Sequence, residues 1–304
     1  MYGKPAKAGC VSAYILVRIA YSSVVKSLRS ATIRLSNSIT KDTEMPGLDL
    51  GLEGRTALVC GSSAGLGRAC AQALAAAGAS VVLNGRQEGP LREAAKVIGD
   101  THAEVSFVVG DVTTAEGRKS ILAACPSPDI LVNNAAGPPT GDFRDFDEVA
   151  WQNALRVSMV SPIMLIRSVI DHMIDQEWGR IINITSSAVK SPLPLLGLSN
   201  GARSGLTGFV AGLAREVAIH GVTINNLLPG RMQTGRLDAY IGNVAASRGV
   251  SFDEAAADMS ATNPMRRFGK PEELGAFCAF LCSQQAAYMT GQNILIDGGE
   301  YAGL

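Results

Sequence analysis

The chain has 304 residues, 47% of them hydrophobic, with 27 basic and 27 acidic side chains, which suits one large globular domain or two small ones. The charge is uneven. Residues 1–41 carry Lys4, Lys7, Arg18, Lys26, Arg29, Arg34 and Lys41 and no acid, so the remainder has a net charge of −7, which argues against a nucleic-acid surface.

Residues 1–44 read as an extension. They are basic, serine-rich and free of acid until Asp42. Their apolar stretch Val11–Val25 is interrupted by Arg18 and is too short to span a membrane. Two readings stand: a cleavable organellar targeting segment, which would send the protein to mitochondria, or an extension ahead of a start at Met45. Either way the fold is expected over residues 45–304, with no membrane partner.

From Leu52 short apolar runs alternate with longer helical patterns. The expected strands are Thr56–Cys60, Ser80–Asn84, Glu104–Val109, Ile130–Asn133, Arg180–Thr185, Val222–Leu228 and Asn293–Ile296. The expected helices include Ala64–Ala77, Pro90–Gly99, Trp151–Gln176, Ser199–His220 and Glu272–Ser283. This alternation predicts an α/β domain, a Rossmann-type doubly wound parallel sheet of about seven strands with helices on both faces. Ligands of such sheets sit at the C-terminal ends of the strands, so each strand exit is a candidate site.

The first strand runs into Gly61-Ser62-Ser63-Ala64-Gly65-Leu66-Gly67. A glycine turn opening a helix lets backbone N–H groups and the positive dipole end meet a phosphate. Gly61, Ser63, Gly65, Leu66 and Gly67 are therefore candidate dinucleotide contacts. The same residues also fit Gly-x-Ser-x-Gly, the nucleophile elbow of α/β-hydrolases. The second strand ends Asn84-Gly85-Arg86, without the acid that would hold a ribose 2′-OH. A guanidinium at that place suits a 2′-phosphate, so NADP(H) is expected over NAD(H), with Arg86 as its contact. Asp111 and Val112 leave the third strand where an adenine would lie, and Asp111 also fits a helix N-cap. Asn133 and Ala135 leave the fourth strand, and Pro229, Gly230 and then Thr234 follow the sixth.

The segments GSSAGLG, NNAAG, INITSS, NNLLPG and TGQNILIDGG, in this order and spacing, resemble the short-chain dehydrogenase/reductase family over residues 52–304. The resemblance explains the Gly-x3-Gly-x-Gly spacing and removes the hydrolase reading: the turn follows the first strand, and no histidine lies beyond His220. It implies an oxidoreductase acting on a ketone or secondary alcohol, and a homo-oligomer, dimer or tetramer, paired through the long helices. The stretch Pro264–Gly269 resembles 3-oxoacyl-acyl-carrier-protein reductases, so the implied partner is a small-molecule or acyl-thioester carbonyl compound. Arg266 and Arg267 offer a small basic dock for a carrier.

The family's catalytic pattern breaks here. Ser186 matches its serine, but Ser199 stands at the tyrosine position, Arg203 at the lysine position and Ser158 at the asparagine position. A serine hydroxyl is a far weaker acid than a phenol, and an arginine stays protonated where a lysine relays a proton. Arg203 remains able to hold the nicotinamide ribose and an oxyanion. Three outcomes follow: a reductase in which Ser186 and Ser199 donate hydrogen bonds and water or another residue supplies the proton (Lys190, with Tyr240 and Tyr288 as weaker candidates); a catalytically silent NADP-binding protein serving as sensor or oligomer partner; or another NADP-linked reaction. The region Arg231–Thr262 reads as alanine-rich and mobile, with Leu237, Tyr240, Ile241 and Met259 available for an apolar pocket.

The six cysteines, Cys10, Cys60, Cys70, Cys125, Cys278 and Cys282, include no Cys-x2-Cys pair. Cys278 and Cys282 share a helical face and read as packing residues. The histidines His102, His172 and His220 have no ligand spacing. No metal is expected, and the compartment is expected to be reducing, hence cytoplasmic.

Overall fold

Both faces of a parallel sheet are covered by helices, so its strands are apolar on both sides. In the computed structural model, which describes residues 49–99 and 103–303, those strands build the expected layers. In chain order they are β1 (Thr56–Val59), α1 (Gly65–Ala76), β2 (Ser80–Gly85), α2 (Glu88–Ile98), β3 (Val105–Val109), α3 (Ala115–Ala124), β4 (Ile130–Asn133), α4 (Glu148–Leu155), α5 (Ser161–Asp175), β5 (Gly179–Ile184), α6 (Gly197–Val217), β6 (Val222–Pro229), α7 (Gly235–Arg248), α8 (Phe252–Ala261), α9 (Pro271–Cys282) and β7 (Asn293–Ile296). The extension of residues 1–44, Cys10 and His102 lie outside the described residues.

The sheet has seven strands in the order β3-β2-β1-β4-β5-β6-β7, all parallel. The order reverses between β1 and β4, which creates the crevice where such sheets bind ligands. Alternate residues along each strand feed two cores. Val59, Leu83, Val132 and Ile182 pack with α1, α2 and α9, while Leu58, Leu131, Ile181 and Ile224 pack with α3, α5 and α6. The crossing of α1 and α9 is close because position 275 lacks a side chain: a Cβ on Gly275 would lie 2.4 Å from the Ala69 carbonyl oxygen. Cys278 and Cys282 are buried in the same layer and both thiols are pushed well up: Cys278, against the lowering effect of its hydrogen bond with Cys282, by its hydrogen bond with Cys70 and then burial, and Cys282 by burial first.

One polar feature runs through the second core. Asn133, Asn183, Asn226 and Asn293 stand opposite one another on β4, β5, β6 and β7. Each Nδ2 donates to the next Oδ1, at 2.9, 3.0 and 2.8 Å. The ladder satisfies buried amides that would otherwise cost about 1–3 kcal/mol each. It ends on Asn133 Oδ1, which is buried and has no hydrogen-bond partner.

The structure corrects the sequence reading in three places. The expected helix Trp151–Gln176 is two helices joined by a π-helical stretch, Arg156–Val160. Residues 148–175 are long and apolar enough to cross a membrane, by length and composition only, and Leu165, Ile166, Val169 and Met173 on that stretch are buried in the core. The region Arg231–Thr262 holds a pair of capped helices. Thr234 starts α7 and Ser251 starts α8, each hydroxyl accepting a backbone N–H. Leu237 and Ile241 are buried in the small core between these helices, and Tyr240 is exposed, so these three form no apolar pocket. Third, the helix cap after β3 is Thr114, whose hydroxyl accepts the Gly117 N–H, and Asp111 instead accepts from Thr113.

Candidate active site

The glycine turn after β1 is shaped by contacts that exclude side chains. Gly61 and Gly65 both have φ of +57°. A Cβ on Gly67 would lie 2.3 Å from the Gly61 carbonyl oxygen, which also accepts the Asn134 Nδ2 at 3.0 Å. Ser62 fastens the turn to the sheet: its hydroxyl donates to the Val59 carbonyl at 2.8 Å and accepts the Asn84 N–H at 3.0 Å. Ser63 and Leu66 are half-buried beside it. The helix α1 then starts at an extended Ala64 that supplies no side-chain cap. Its first-turn N–H groups have no intrahelical acceptor, and Gly65 faces the Thr234 methyl group, 3.5 Å from where its Cβ would be. Uncapped N–H groups at a glycine cradle fit the diphosphate of a dinucleotide.

The neighbouring exits complete this rim. Arg86 is exposed at the end of β2, and its charge helps to hold the Asp111 carboxyl below the usual range, after the larger effect of the Thr113 N–H. Val112 is half-buried, and its carbonyl accepts Arg118 Nη1 at 2.9 Å. Ala135 is half-buried after β4. Pro229 is buried, and Gly230 crosses β7 so closely that a Cβ would lie 2.9 Å from Asp297 Cα.

Two of the expected chemical residues, Ser158 and Arg203, share a cavity beside this seat, and a third, Ser199, contacts Arg203. Ser158, on the π-helical stretch, and Arg203 line one cavity with Asn133, Asn134, Ala135, Asn183 and Thr185. Arg203 Nη1 donates to Ser199 Oγ at 2.8 Å, one helical turn apart on α6. Ser199 is 1% exposed and lies behind Arg203, which lines the cavity itself. Burial, and secondly the charge of Arg236, bring the Arg203 guanidinium down to about 10. It stays protonated at neutral pH. Ser186 is half-buried at the end of β5, and its Oγ accepts the Ala188 N–H at 3.2 Å. That leaves its own proton free to donate.

The substitutes considered for a proton donor are placed otherwise. Tyr288 and Tyr240 are exposed, and Lys190 is exposed with its ammonium 5.9 Å from the Tyr301 ring centre. The two arginines of the expected basic dock already have partners in the structure. Arg267 pairs with Glu273 through both guanidinium nitrogens at 2.8 and 2.6 Å, holding that carboxyl down to about 2, and Arg266 bonds the Ala261 carbonyl.

Sequence reasoning missed Arg236. Its guanidinium reaches from the first turn of α7 to the loop after β4, where Nη2 donates to the Pro138 carbonyl at 3.3 Å. The signal was Thr234 as a cap ahead of Leu237, Ile241 and Ala245, a helical spacing that places residue 236 beside the crevice.

Comparison with known proteins agrees with this geometry. The sequence model of a family described as enoyl-(acyl carrier protein) reductase matches residues 61–300. A 3-oxoacyl-[acyl-carrier-protein] reductase of Vibrio harveyi is 32% identical over 255 residues, covering 83% of this chain and 99% of its own length. Dehydrogenase/reductase SDR family member 4 of Bos taurus is 33% identical over 259 residues, covering 83% and 89%. The crystal structure of L-sorbose reductase from Gluconobacter frateurii, complexed with NADPH and L-sorbose, superposes with a TM-score of 0.81 at 30% identity, covering 84% of this chain and all of that one. Sequence match, sheet order and glycine cradle agree, and the chain belongs to the short-chain dehydrogenase/reductase family.

Proposed function

We propose that the chain is an NADP(H)-dependent oxidoreductase that interconverts a ketone and a secondary alcohol through an atypical catalytic set. The observation that carries this reading is the placement of Arg203, backed by Ser199, in the cavity beside the glycine cradle. NADP(H), when bound, supplies or accepts the hydride. Gly61, Ser63, Gly65, Leu66 and Gly67 hold its diphosphate, with Thr234 opposite; Arg86 takes the 2′-phosphate; Asp111 and Val112 border the adenine; Asn133, Ala135, Pro229 and Gly230 line the approach to the reacting end.

At the carbonyl, the Ser186 hydroxyl donates to the oxygen. Arg203, held by Ser199, places a fixed positive charge against the alkoxide that develops, in a partly water-excluded site where such charge is most effective. Ser158 borders the same cavity. With no phenol at position 199, the proton comes from water. The names of the relatives support a carbonyl substrate of the ketose or 3-oxoacyl kind. A ketone rather than an alkene is preferred because the relatives named above are 3-oxoacyl and L-sorbose reductases, an oxyanion developing in either reaction.

The test uses protein lacking residues 1–44. Tight NADPH binding by fluorescence, with NADPH oxidation on some member of a panel of ketones and 3-oxoacyl thioesters in stopped flow, supports the reading. Tight binding with no oxidation favours the silent NADP-binding protein, which the missing tyrosine and lysine recommend. Arg86→Asp is expected to weaken NADPH about tenfold or more while leaving NADH unchanged or tighter. Equal affinity of the wild type for both dinucleotides would show that Arg86 contributes nothing to the choice.

A homo-oligomer is part of the proposal. Val149, Leu155 and Val160 are exposed apolar residues along α4 and the π-helical stretch, a face that pairing through the long helices would cover. Light scattering reading a monomer at micromolar concentration would overturn that part. Five buried free cysteines support a reducing, cytoplasmic setting.

A further inference from the structure

We propose that Arg203 and Arg236 together form an anion site over the exit of β4, which receives the oxygens of a carboxylate or phosphate group. This deepens the proposed function by giving the same cleft an acidic ligand. The chemistry has two sources: an acid group on the carbonyl substrate, or the phosphates of the dinucleotide.

Arg203 reaches the cavity from α6, through the wall it shares with Asn134 and Ala135. Arg236 comes from the opposite side, and its Nη1 lies 2.1 Å from where a Cβ on Gly137 would be, two residues beyond Ala135. The guanidinium thus occupies space beside the β4 exit that a side chain at 137 would fill. Among the described residues neither arginine has a carboxylate within ion-pair distance. Their only hydrogen-bond acceptors are one hydroxyl and one carbonyl, Ser199 Oγ and Pro138 O.

Three physical costs accumulate at this place. Two like charges stand near each other, and the presence of Arg236 helps to draw Arg203 down. Both guanidiniums are partly desolvated, which lowers each from its ordinary value. Arg236 also sits in the first turn of α7, beside a partial positive charge met in that turn by a single acidic side chain, Asp238. Arg236 is exposed as a residue, so nothing in the core obliges its tip to lie there. A bound anion removes all three costs at once, and the planar fork of each arginine suits two oxygens of a carboxylate or phosphate.

Binding separates the sources. Inorganic pyrophosphate on the apoprotein and NADPH titration form the phosphate arm. Calorimetry of acetoacetate against its neutral ethyl ester, on the NADP+-saturated protein, forms the carboxylate arm. Arg236→Gln is expected to weaken one arm about tenfold or more at unchanged melting temperature. A loss confined to pyrophosphate and NADPH assigns the site to cofactor phosphate; a loss confined to acetoacetate assigns it to a substrate acid group. Arg236→Lys keeps the charge and should recover part of the loss. Both arms within twofold of wild type in Arg236→Gln overturn the proposal, as does a loss in both arms that tracks a lower melting temperature and that lysine does not recover. A wild type that binds pyrophosphate but not NADPH would sink the oxidoreductase reading while leaving the anion site standing.

Discussion

Gly67→Ala is expected to lower NADPH affinity by about a hundredfold or more, because the new methyl group has nowhere to go. Its Cβ would lie 2.3 Å from the Gly61 carbonyl oxygen and 2.8 Å from Asn134 Nδ2. The first is backbone, so the turn itself must move. Gly61 is held at φ +57° and accepts the Asn134 side chain, so displacing its carbonyl disturbs both walls of the cradle. Anion binding by a helix N-terminus depends on backbone N–H groups lying within hydrogen-bond reach of the oxygens. A shift of about an ångström removes that reach, and overpacking adds about 1–3 kcal/mol of lost stability. Gly242→Ala is the control. Nothing lies within 4 Å of a Cβ there, inside α7, so the change should stabilise the protein by about 0.5–1 kcal/mol and leave NADPH affinity alone. Fluorescence titration with thermal melts reads both. Wild-type affinity in Gly67→Ala would show that the cradle does not hold the diphosphate.

The inner strands were legible because they are buried on both faces, and the half-exposed edge strands β3 and β7 because turn residues bound their apolar runs. Ile130–Asn133 and Asn293–Ile296 stand in the structure with the expected bounds. Elements whose apolar face is narrow were not legible: α3 buries Ile121 alone on its own span, and α8 buries Ala255 alone. An alanine-rich stretch such as 252–261 carries little periodic signal, and its cap at Ser251 was the readable clue. The π-helical stretch at Arg156–Val160 inserts one residue into an otherwise continuous pattern, which hydropathy does not register.

The site divides along the same line. The glycine turn and the strand exits were readable because they are local in sequence. The Asn133–Asn293 ladder and the approach of Arg236 to Pro138 join residues 98 or more apart, or in separate strands, and only the sheet order brings them together. Position in the sequence did not show that Ser199 is buried: it is 1% exposed and its Oγ accepts Arg203 Nη1 at 2.8 Å.

The paired change Ser199→Tyr with Arg203→Lys should therefore raise kcat by about a hundredfold or more on any ketone that the wild type reduces slowly. General acid catalysis contributes about 10²–10⁴-fold, and water is the donor it replaces. A phenol, with an ordinary pKa near 10, is drawn down by a neighbouring ammonium and can both donate its proton and regain it. The two changes must be made together. Ser199 is 1% exposed and lies under Arg203 at 2.8 Å, so a lone tyrosine would be forced against the guanidinium. Lysine, slimmer and unbranched at its end, vacates that space. The single variant Ser199→Tyr should accordingly lose stability, and Arg203→Lys alone should gain no rate. Steady-state NADPH oxidation, with melting temperatures for all three variants, tests the argument. A paired variant that folds, binds NADPH and reduces nothing faster would mean that protonation does not limit the wild type, and that its departure from the family lies in which substrate the cleft admits.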